Sequence, residues 1–583
     1  MLDLKPSPVR VSSEAAHKLP RFLLLAVLVV FALSGLFGRD LWSSEEARSL
    51  GEVLGMISTD TVGWLFPWAS GEVIVSHGPL VIWVGAFFAK LTAGFISPLF
   101  GMRLTTLLWF ALTTASIWYG TWFLARRKEA QPVALVFGRE APYRDYGRLV
   151  ADSATLFVVS LFGLVVILHE PTITTAELAL SSLAYFGCAW ALTRPYWASA
   201  LSGFACGLLM LASSLLVGLT VLTGCLVSHI FVHGIGRLNR KLLTTLFVAL
   251  ITLSLWPATA YLVASEVAGD YFNLWAQAQL KAFGFINLND AAWFIKHLAW
   301  YLCPAWPFAV LAIWRWRKDL SVTQIAMPLS FFVACLLGVL ISNNIDAETL
   351  LPIAITPICT LAAFGLMSSR RNGKSMLECF CVAVFSLALA GMWIYWLAFT
   401  IEWPPKMHFS VLRLVANESA SQSDWLGVVV ALIVLVFWLT LCVQRLKQHP
   451  TVFWNGPWLS ASGMTVLWIT ALALFQPAID SNRTYRYIAS EMHVTLTHSG
   501  FVPNVDCVRT FGLNLAERTA ISWHSGDILT VSPSEACRFY ISRQNKGEVH
   551  PQLTELKGVE LKAFRPRSDV RYRVGKMAPN IKQ

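Results

Sequence analysis

Thirteen apolar runs, divided by short polar connections, leave this chain few folds to choose from. They fall at 22–38, 104–124, 153–169, 176–193, 198–213, 215–233, 243–264, 299–314, 325–342, 351–367, 377–400, 426–443 and 459–478. A helix needs about 20 apolar residues to cross the hydrocarbon core of a bilayer, and a backbone inside that core must satisfy its own hydrogen bonds. The runs are therefore expected to be transmembrane α-helices of a polytopic membrane protein. Only 14% of the 583 residues are charged, against roughly a quarter in soluble proteins. That excludes a soluble enzyme, and no nucleic-acid partner is expected. Basic Arg10, Lys18 and Arg21 precede the first run as they would in a signal peptide. No small-residue cleavage site follows, because the run ends in Gly38-Arg39-Asp40-Leu41-Trp42, so it reads as the first span.

The basic residues of the connections alternate in density. One set holds eighteen, from Arg126-Arg127-Lys128, Arg139, Arg144 and Arg148, through Arg194, Arg237, Arg240 and Lys241, Arg315, Arg317 and Lys318, and Arg370, Arg371 and Lys374, to Arg445 and Lys447. The intervening set holds eight: Arg39, Arg48, Lys90, Arg103, Lys281, Lys296, Lys406 and Arg413. The positive-inside rule places the richer set, and the N-terminus, in the cytoplasm. Pro79–Phe95 is apolar enough to span, yet counting it would invert every later connection. It is expected instead as a helix lying in the outer interface or dipping partway in. The chain then divides into a transmembrane domain (1–478), whose first outer loop (39–103) carries interfacial helices, and an extracytoplasmic tail (479–583).

The tail is polar, and Ile528-Leu529-Thr530-Val531 and Phe539-Tyr540-Ile541 read as strands. About a hundred residues suffice for a small α/β domain. Of eleven cysteines, only Cys507 and Cys537 lie outside the apolar runs. They are expected to pair in an oxidising compartment, two free thiols being the alternative. The other nine are expected to pack as small apolar residues.

Charge is scarce, so its outer-side clusters are informative. In Trp42-Ser43-Ser44-Glu45-Glu46-Ala47-Arg48-Ser49-Leu50-Gly51-Glu52, the apolar residues Leu50, Val53, Leu54 and Ile57 share one helical face. Glu45, Arg48, Ser49 and Glu52 share the other, the pattern of an amphipathic helix on a membrane surface. Glu45 and Arg48 also fit a surface ion pair, and Ser43 with Glu46 fits a capping box. His77-Gly78-Pro79 opens an apolar segment and suits a phosphate site; an interfacial histidine packed on tryptophans fits equally. His169-Glu170-Pro171 leads into Glu177, a carboxylate just inside a helix, where it is costly unless paired or facing an aqueous cavity. A fourth polar turn is Ser342–Glu348.

The order Arg39-Asp40-Leu41-Trp42, Glu45-Glu46-Ala47-Arg48, Gly71-Glu72, His77-Gly78-Pro79-Leu80, Trp83 and Arg103-Leu104 resembles the first outer loop of the GT-C glycosyltransferases. The nearest branch is that of the aminoarabinose lipid A transferases, with the protein O-mannosyltransferases more distant. That branch runs W-x-x-D-E-A-R, then G-E-x-x-x-x-K-P-P-L-x-x-W, then A-R-L-P. The likeness continues through Trp256-Pro257, Tyr271–Asn289, Tyr301-Leu302 with Trp306-Pro307, and Leu350-Leu351-Pro352. The tail, with Cys507 and Cys537, resembles the small C-terminal domain of bacterial members. Here the D-E pair is Glu45-Glu46, the K-P-P lysine is His77, and the acid before it is Ser76. The T-K-G-P motif reads Ser213-Ser214-Leu215-Leu216, and Asn343-Asn344 replaces a later lysine.

The resemblance implies a GT-C fold of about thirteen spans in a bacterial inner membrane. It also implies an inverting transfer from a polyprenyl-phosphate-linked sugar to a lipid A-type or other glycan acceptor. Glu45 stands where the family has its catalytic base, with Glu46 beside it as the second catalytic candidate. Arg48, His77 and Arg103 are expected on the donor-phosphate side, and Glu72 and Glu177 as substrate contacts. Besides donor and acceptor, the expected partners are membrane lipids. A divalent metal ion is left open, since the acid that would ligate it is Ser76 here. A transporter or flippase is the alternative, but it would show midplane polar residues and related halves. A non-catalytic scaffold displaying the tail is the third reading.

Overall fold

The computed structural model describes residues 7–577 except 135–139, 234–238, 344–347, 370, 413–424, 448–452, 504, 526–529, 533–536, 545–557 and 563–569. Asn344–Ala347 of the fourth polar turn, Arg139, Arg237, Arg370 and Arg413 of the charge count, and Ile528, Leu529 and Ala536 of the tail lie outside these residues.

The chain opens with α1 (Arg21–Leu33). The first long connection carries α2 (Ser44–Ile57), the short α3 (Thr61–Leu65), a hairpin of β1 (Trp68–Ala69) and β2 (Glu72–Val73), and α4 (Leu80–Leu91). The bundle continues with α5 (Pro98–Ala125), α6 (Tyr143–Ser160), α7 (Ile173–Trp190), α8 (Pro195–Ala212), α9 (Leu215–His233) and α10 (Asn239–Val263). Then come α11 (Ser265–Lys281), α12 (Leu288–Tyr301), α13 (Trp306–Arg315), α14 (Thr323–Leu340), α15 (Ile355–Ser368) and α16 (Arg371–Thr400). The short α17 (Pro405–Leu412), α18 (Trp425–Lys447) and α19 (Asn455–Arg483) complete it.

Among the described residues, eight helices are long and apolar enough to cross a membrane, or ten if each of two bent pairs counts as one span. Thirteen were expected, and the shortfall has physical causes. α1 has 13 residues, and the apolar stretch of α9, Leu215–Phe231, is also short. α7 gives up apolar length to Thr174, Thr175, Glu177, Ser181 and Ser182, which protein packing accommodates because all but Thr174 are buried. The bent pairs are α6 with the turns over Phe162–His169 (58°) and α12 with α13 (96°). α4 has 12 residues, about 18 Å of helix, and is too short to cross a hydrocarbon core of about 30 Å.

The bundle is a multi-pass membrane domain whose centre and rim differ in kind. α15 is buried along its whole length, and α6 is buried from Leu149 to Ser160. With water absent from the bilayer, such helices associate by close packing. A Cβ on Gly365 of α15 would lie 1.9 Å from the Phe308 carbonyl of α13. At the rim, Phe247, Leu250 and Leu262 of α10 and Leu387 of α16 are exposed, as lipid contact requires.

Past α19 lies the tail domain: α20 (Arg486–His498), β3 (Cys507–Phe511), α21 (Leu515–His524), β4 (Thr530–Ser532), β5 (Phe539–Gln544), β6 (Gly558–Lys562) and β7 (Arg571–Lys576). Its sheet has the order β4-β3-β5-β7-β6. β3 pairs in parallel with β4 and β5, and the β5–β7 and β6–β7 pairs are antiparallel. Ile488, Met492 and Leu496 of α20 cover Val508, Phe539, Ile541 and Val574 of the sheet. A disulfide joins Cys507 to Cys537, tying the start of β3 to the approach of β5. α21 opens on a full capping box between Asn514 and Glu517.

Candidate active site

The site is built on α2. Its N-terminus is fixed by Ser43, whose Oγ accepts the Glu46 amide at 3.1 Å. The reciprocal half of the expected capping box is absent because the Glu46 side chain turns the other way. It is fully buried, with Arg39 Nη1 at 2.6 Å and Nη2 at 3.0 Å, and Arg103 Nε at 2.7 Å. Two guanidiniums attract a buried carboxylate far more strongly than one backbone amide does. Burial alone would push the Glu46 carboxyl up, but Arg39 and Arg103 more than offset it and hold it below the usual carboxylate range.

This triad holds two of the expected site residues. Arg103, expected beside the donor phosphate, is completely buried. Its remaining nitrogens donate to the carbonyls of Arg39 (2.8 Å) and Asp40 (2.9 Å). All three guanidinium nitrogens are thus committed to the fold. Glu46 has likewise committed its carboxylate to the two guanidiniums. The triad also bolts the loop to the α6–α7 turn. Arg39 donates to the His169 carbonyl at 2.8 Å, and Ser43 donates to Glu170 at 2.7 Å. The other oxygen of Glu170 is buried with no hydrogen-bond partner among the described residues. Burial, with Glu46 nearby, pushes the Glu170 carboxyl up to about 7.

The charges that remain available are Glu45 and Arg48, on either side of Glu46 in α2, and Glu52. Glu45 is 60% exposed, and its carboxylate is 3.8 Å from Arg48, which is 42% exposed. One turn on, Glu52 is buried and uses one oxygen, Oε1, to face both Arg48 (4.0 Å) and His77 Nε2 (3.2 Å). His77 Nδ1 faces the Gly78 carbonyl at 2.9 Å. A ring flanked by a carbonyl and a carboxylate must donate from both nitrogens, which only the imidazolium does. Burial pulls the His77 pKa down, but the Glu52 carboxylate and the Gly78 carbonyl reverse this and hold it above its ordinary value. His77 therefore offers charge in place of the expected lysine, although its N–H bonds are already used.

Glu52 was missed as a site residue. Its signal was present, since it shares a helical face with Glu45 and Arg48, but its partner His77 lies 25 residues away. The His77 loop is fixed from outside: Tyr271 donates to the Ile74 carbonyl at 2.7 Å and Gln279 to the Ser76 carbonyl at 3.1 Å. The hairpin before it turns through Ser70 and Gly71, both at positive φ (48° and 78°), as a two-residue turn requires.

Glu177 is buried on α7 and accepts the Ser213 hydroxyl. Its second oxygen and the Tyr301 hydroxyl are buried without hydrogen-bond partners among the described residues. Glu72, expected as a substrate contact, is half-exposed and paired at 2.7 Å with the buried Arg518 of α21. Arg486 of α20 is 2.6 Å from Asp40, a second tie between the tail domain and the loop. The apolar face of α2 does not lie on lipid, as the sequence suggested. Leu50, Val53 and Met56 are buried between Ile82 and Ala86 of α4 and Ala516 and Ala520 of α21. A Cβ on Gly51 would meet Thr519 Oγ1 at 2.1 Å, so glycine is needed for that approach.

Among the described residues, no group of three or more His, Cys, Asp or Glu side chains is arranged to hold a metal ion. Ser76 supplies no carboxylate.

The chain has the fold of the GT-C membrane transferases, with a small sheet domain after its last span. Its architecture aligns with the crystal structure of ArnT from Cupriavidus metallidurans bound to undecaprenyl phosphate, at a TM-score of 0.63 and 14% identity over 95% of this chain and 97% of that one. The apo state of the same protein aligns at 0.62 with 15% identity over the same shares. No protein-family model matches the chain, and no curated protein matches it in sequence.

Proposed function

We propose that this chain is an inverting glycosyltransferase of the bacterial inner membrane. It moves a sugar from a polyprenyl-phosphate donor to a lipid A-type or other cell-envelope glycan acceptor on the periplasmic side. The observation that carries the reading is the row Glu45–Arg48–Glu52–His77, an exposed carboxylate beside two cations that share one buried counter-ion. An alignment along nearly the whole chain with a protein bound to undecaprenyl phosphate supports it.

In this reaction the acceptor hydroxyl attacks the anomeric carbon and gives its proton to the Glu45 carboxylate. The bond from that carbon to the carrier phosphate oxygen breaks, and the phosphate departs with both electrons. Arg48, with its guanidinium partly exposed, meets the departing charge directly. His77 adds a fixed positive field from behind Glu52. Glu177, with one carboxylate oxygen unpaired, is the proposed contact for the transferred sugar or the acceptor. A transporter would not need an exposed acid beside cations at one end of its bundle.

Purified protein in vesicles with a polyprenyl-phosphate sugar and an envelope-lipid extract should release free polyprenyl phosphate. No release with any donor would sink the reading. Mass spectrometry of lipids and glycans from a deletion strain identifies the sugar and the acceptor. Orientation is tested separately: a reporter fused after Arg127 should read cytoplasmic and one after Ser481 periplasmic.

A further inference from the structure

A second feature lies beside α1. A trough of about 630 Å³ runs beside α1 for its whole length, from Arg21 to Leu33, with α5 as its other wall. Its floor includes the small side chains of Ala111 and Ala115, and its sides Leu28 and Phe110. Leu25, Val29 and Leu33 on α1 and Tyr119 on α5 line it and are exposed, so it opens sideways to the bilayer.

Its two ends differ. At the Leu33 end it is apolar. At the Arg21 end it is closed by Arg21, Arg148, Asp152 and Trp118. Asp152 is buried and already satisfied, accepting the Trp118 indole at 2.7 Å with Arg148 at 3.5 Å. Arg148 also donates to the Leu19 carbonyl. One carboxylate thus faces two guanidiniums, leaving this end one positive charge in excess, carried by the exposed Arg21.

The length matches one leaflet. Twelve steps of helix from Arg21 to Leu33 rise about 18 Å, slightly more than half of a hydrocarbon core of about 30 Å. The loop bearing Glu45 follows the opposite end of α1, so a donor phosphate at the active site lies beyond the far end of the trough from Arg21.

We propose that the trough is a binding site for one anionic phospholipid of the leaflet at the Arg21 end. Its headgroup phosphate lies against Arg21 and Arg148, and one acyl chain lies along Ala111 and Ala115. The site is separate from the donor site and does not depend on the reaction proposed above. A cation close to an anionic headgroup strengthens binding about fivefold, so reversing one charge should weaken it on the order of twentyfold.

The test is native mass spectrometry of the full chain in detergent, titrated with phosphatidylglycerol or phosphatidylcholine of equal chain length. Wild type should retain one phosphatidylglycerol in clear preference to phosphatidylcholine. Arg21→Glu should lose that preference, and Ala115→Phe, which fills the trough without touching charge, should lose retention of both. Equal retention of the two lipids by wild type would overturn the proposal. So would undiminished phosphatidylglycerol on both variants, or undecaprenyl phosphate displacing phosphatidylglycerol from Arg21.

Discussion

Glu46→Gln separates a structural acid from a catalytic one. The substitution keeps the side-chain volume and one acceptor oxygen but removes the negative charge between Arg39 and Arg103. Of the three contacts of 2.6, 3.0 and 2.7 Å, any to the oxygen that becomes an amide nitrogen is lost because donor then faces donor, and those kept weaken without the carboxylate charge. Two guanidiniums are then left buried without a counter-ion. Removing one partner of a buried ion pair typically costs about 3–5 kcal/mol. The variant should therefore unfold at a clearly lower temperature in detergent and be cut faster by protease in the 39–103 loop. Turnover per folded molecule should fall far less than with a catalytic loss. Arg103→Gln should behave alike, and the double variant should lose less stability than the two single losses added, because the second substitution removes a charge the first left unpaired. A Glu46→Gln protein that melts with wild type yet turns over a hundredfold slower would refute the argument and return the base to Glu46.

Glu45→Gln should show the opposite profile. Its carboxylate is largely exposed, so melting should be unchanged while turnover falls by about 10²–10⁴, measured as polyprenyl phosphate released. Glu52→Gln removes the counter-ion that keeps His77 charged. Because the His77 pKa is raised in the fold, donor affinity should be full at low pH and fall as pH rises through that value. In the variant the fall should move to lower pH, and binding titrations across pH 5–9 would show it; an unmoved profile would remove His77 from the phosphate side. Glu170 has its carboxyl pushed up to about 7 from 4.5, so its ionisation destabilises the fold as pH rises through that window. Glu170→Gln should gain about 2–3 kcal/mol on wild type between pH 5 and pH 8, read as a pH-dependent melting difference. Cys507→Ser and Cys537→Ser open a loop of 30 residues and should each cost about 3–4 kcal/mol. Thiol labelling of the tail before reduction would contradict the bridge.

Much of this was legible in the residues because it is local. Apolar runs announce helices wherever the lipid-facing length is sufficient. α2 could be seen with both its faces, and the two cysteines stood apart by composition alone. What stayed hidden depends on contacts between distant segments. Arg103 looked like a phosphate ligand because a lone arginine before an apolar run carries no sign of depth, and its partner Glu46 is 57 residues earlier. Ser43 and Glu46 have capping-box spacing, yet only the Ser43 half forms, because two distant arginines claim the carboxylate. The apolar face of α2 is the same pattern whether it meets lipid or protein. Ala516 and Ala520, near the far end of the chain, decide between them.

The same contacts explain why this helix suits chemistry at all. α2 is held at its N-terminus by the Arg39–Glu46–Arg103 triad and Ser43, by α4 along one side, and by α21 close against Gly51. A reacting group must be held within a fraction of an ångström by elements that do not themselves move, and a surface helix floating on lipid would not provide this. Of the four charged residues on α2, Glu46 and Glu52 are buried and consumed in holding other charges. Glu45 and Arg48 alone reach solvent, and they do so from a helix gripped on both sides. In that division of labour the tail domain helps to hold α2 without adding a side chain to the Glu45–Arg48–Glu52–His77 row. Breaking the Arg518–Glu72 tie or crowding the Gly51–Thr519 contact should loosen α2, and with it the spacing between Glu45 and Arg48 on which the proposed transfer depends.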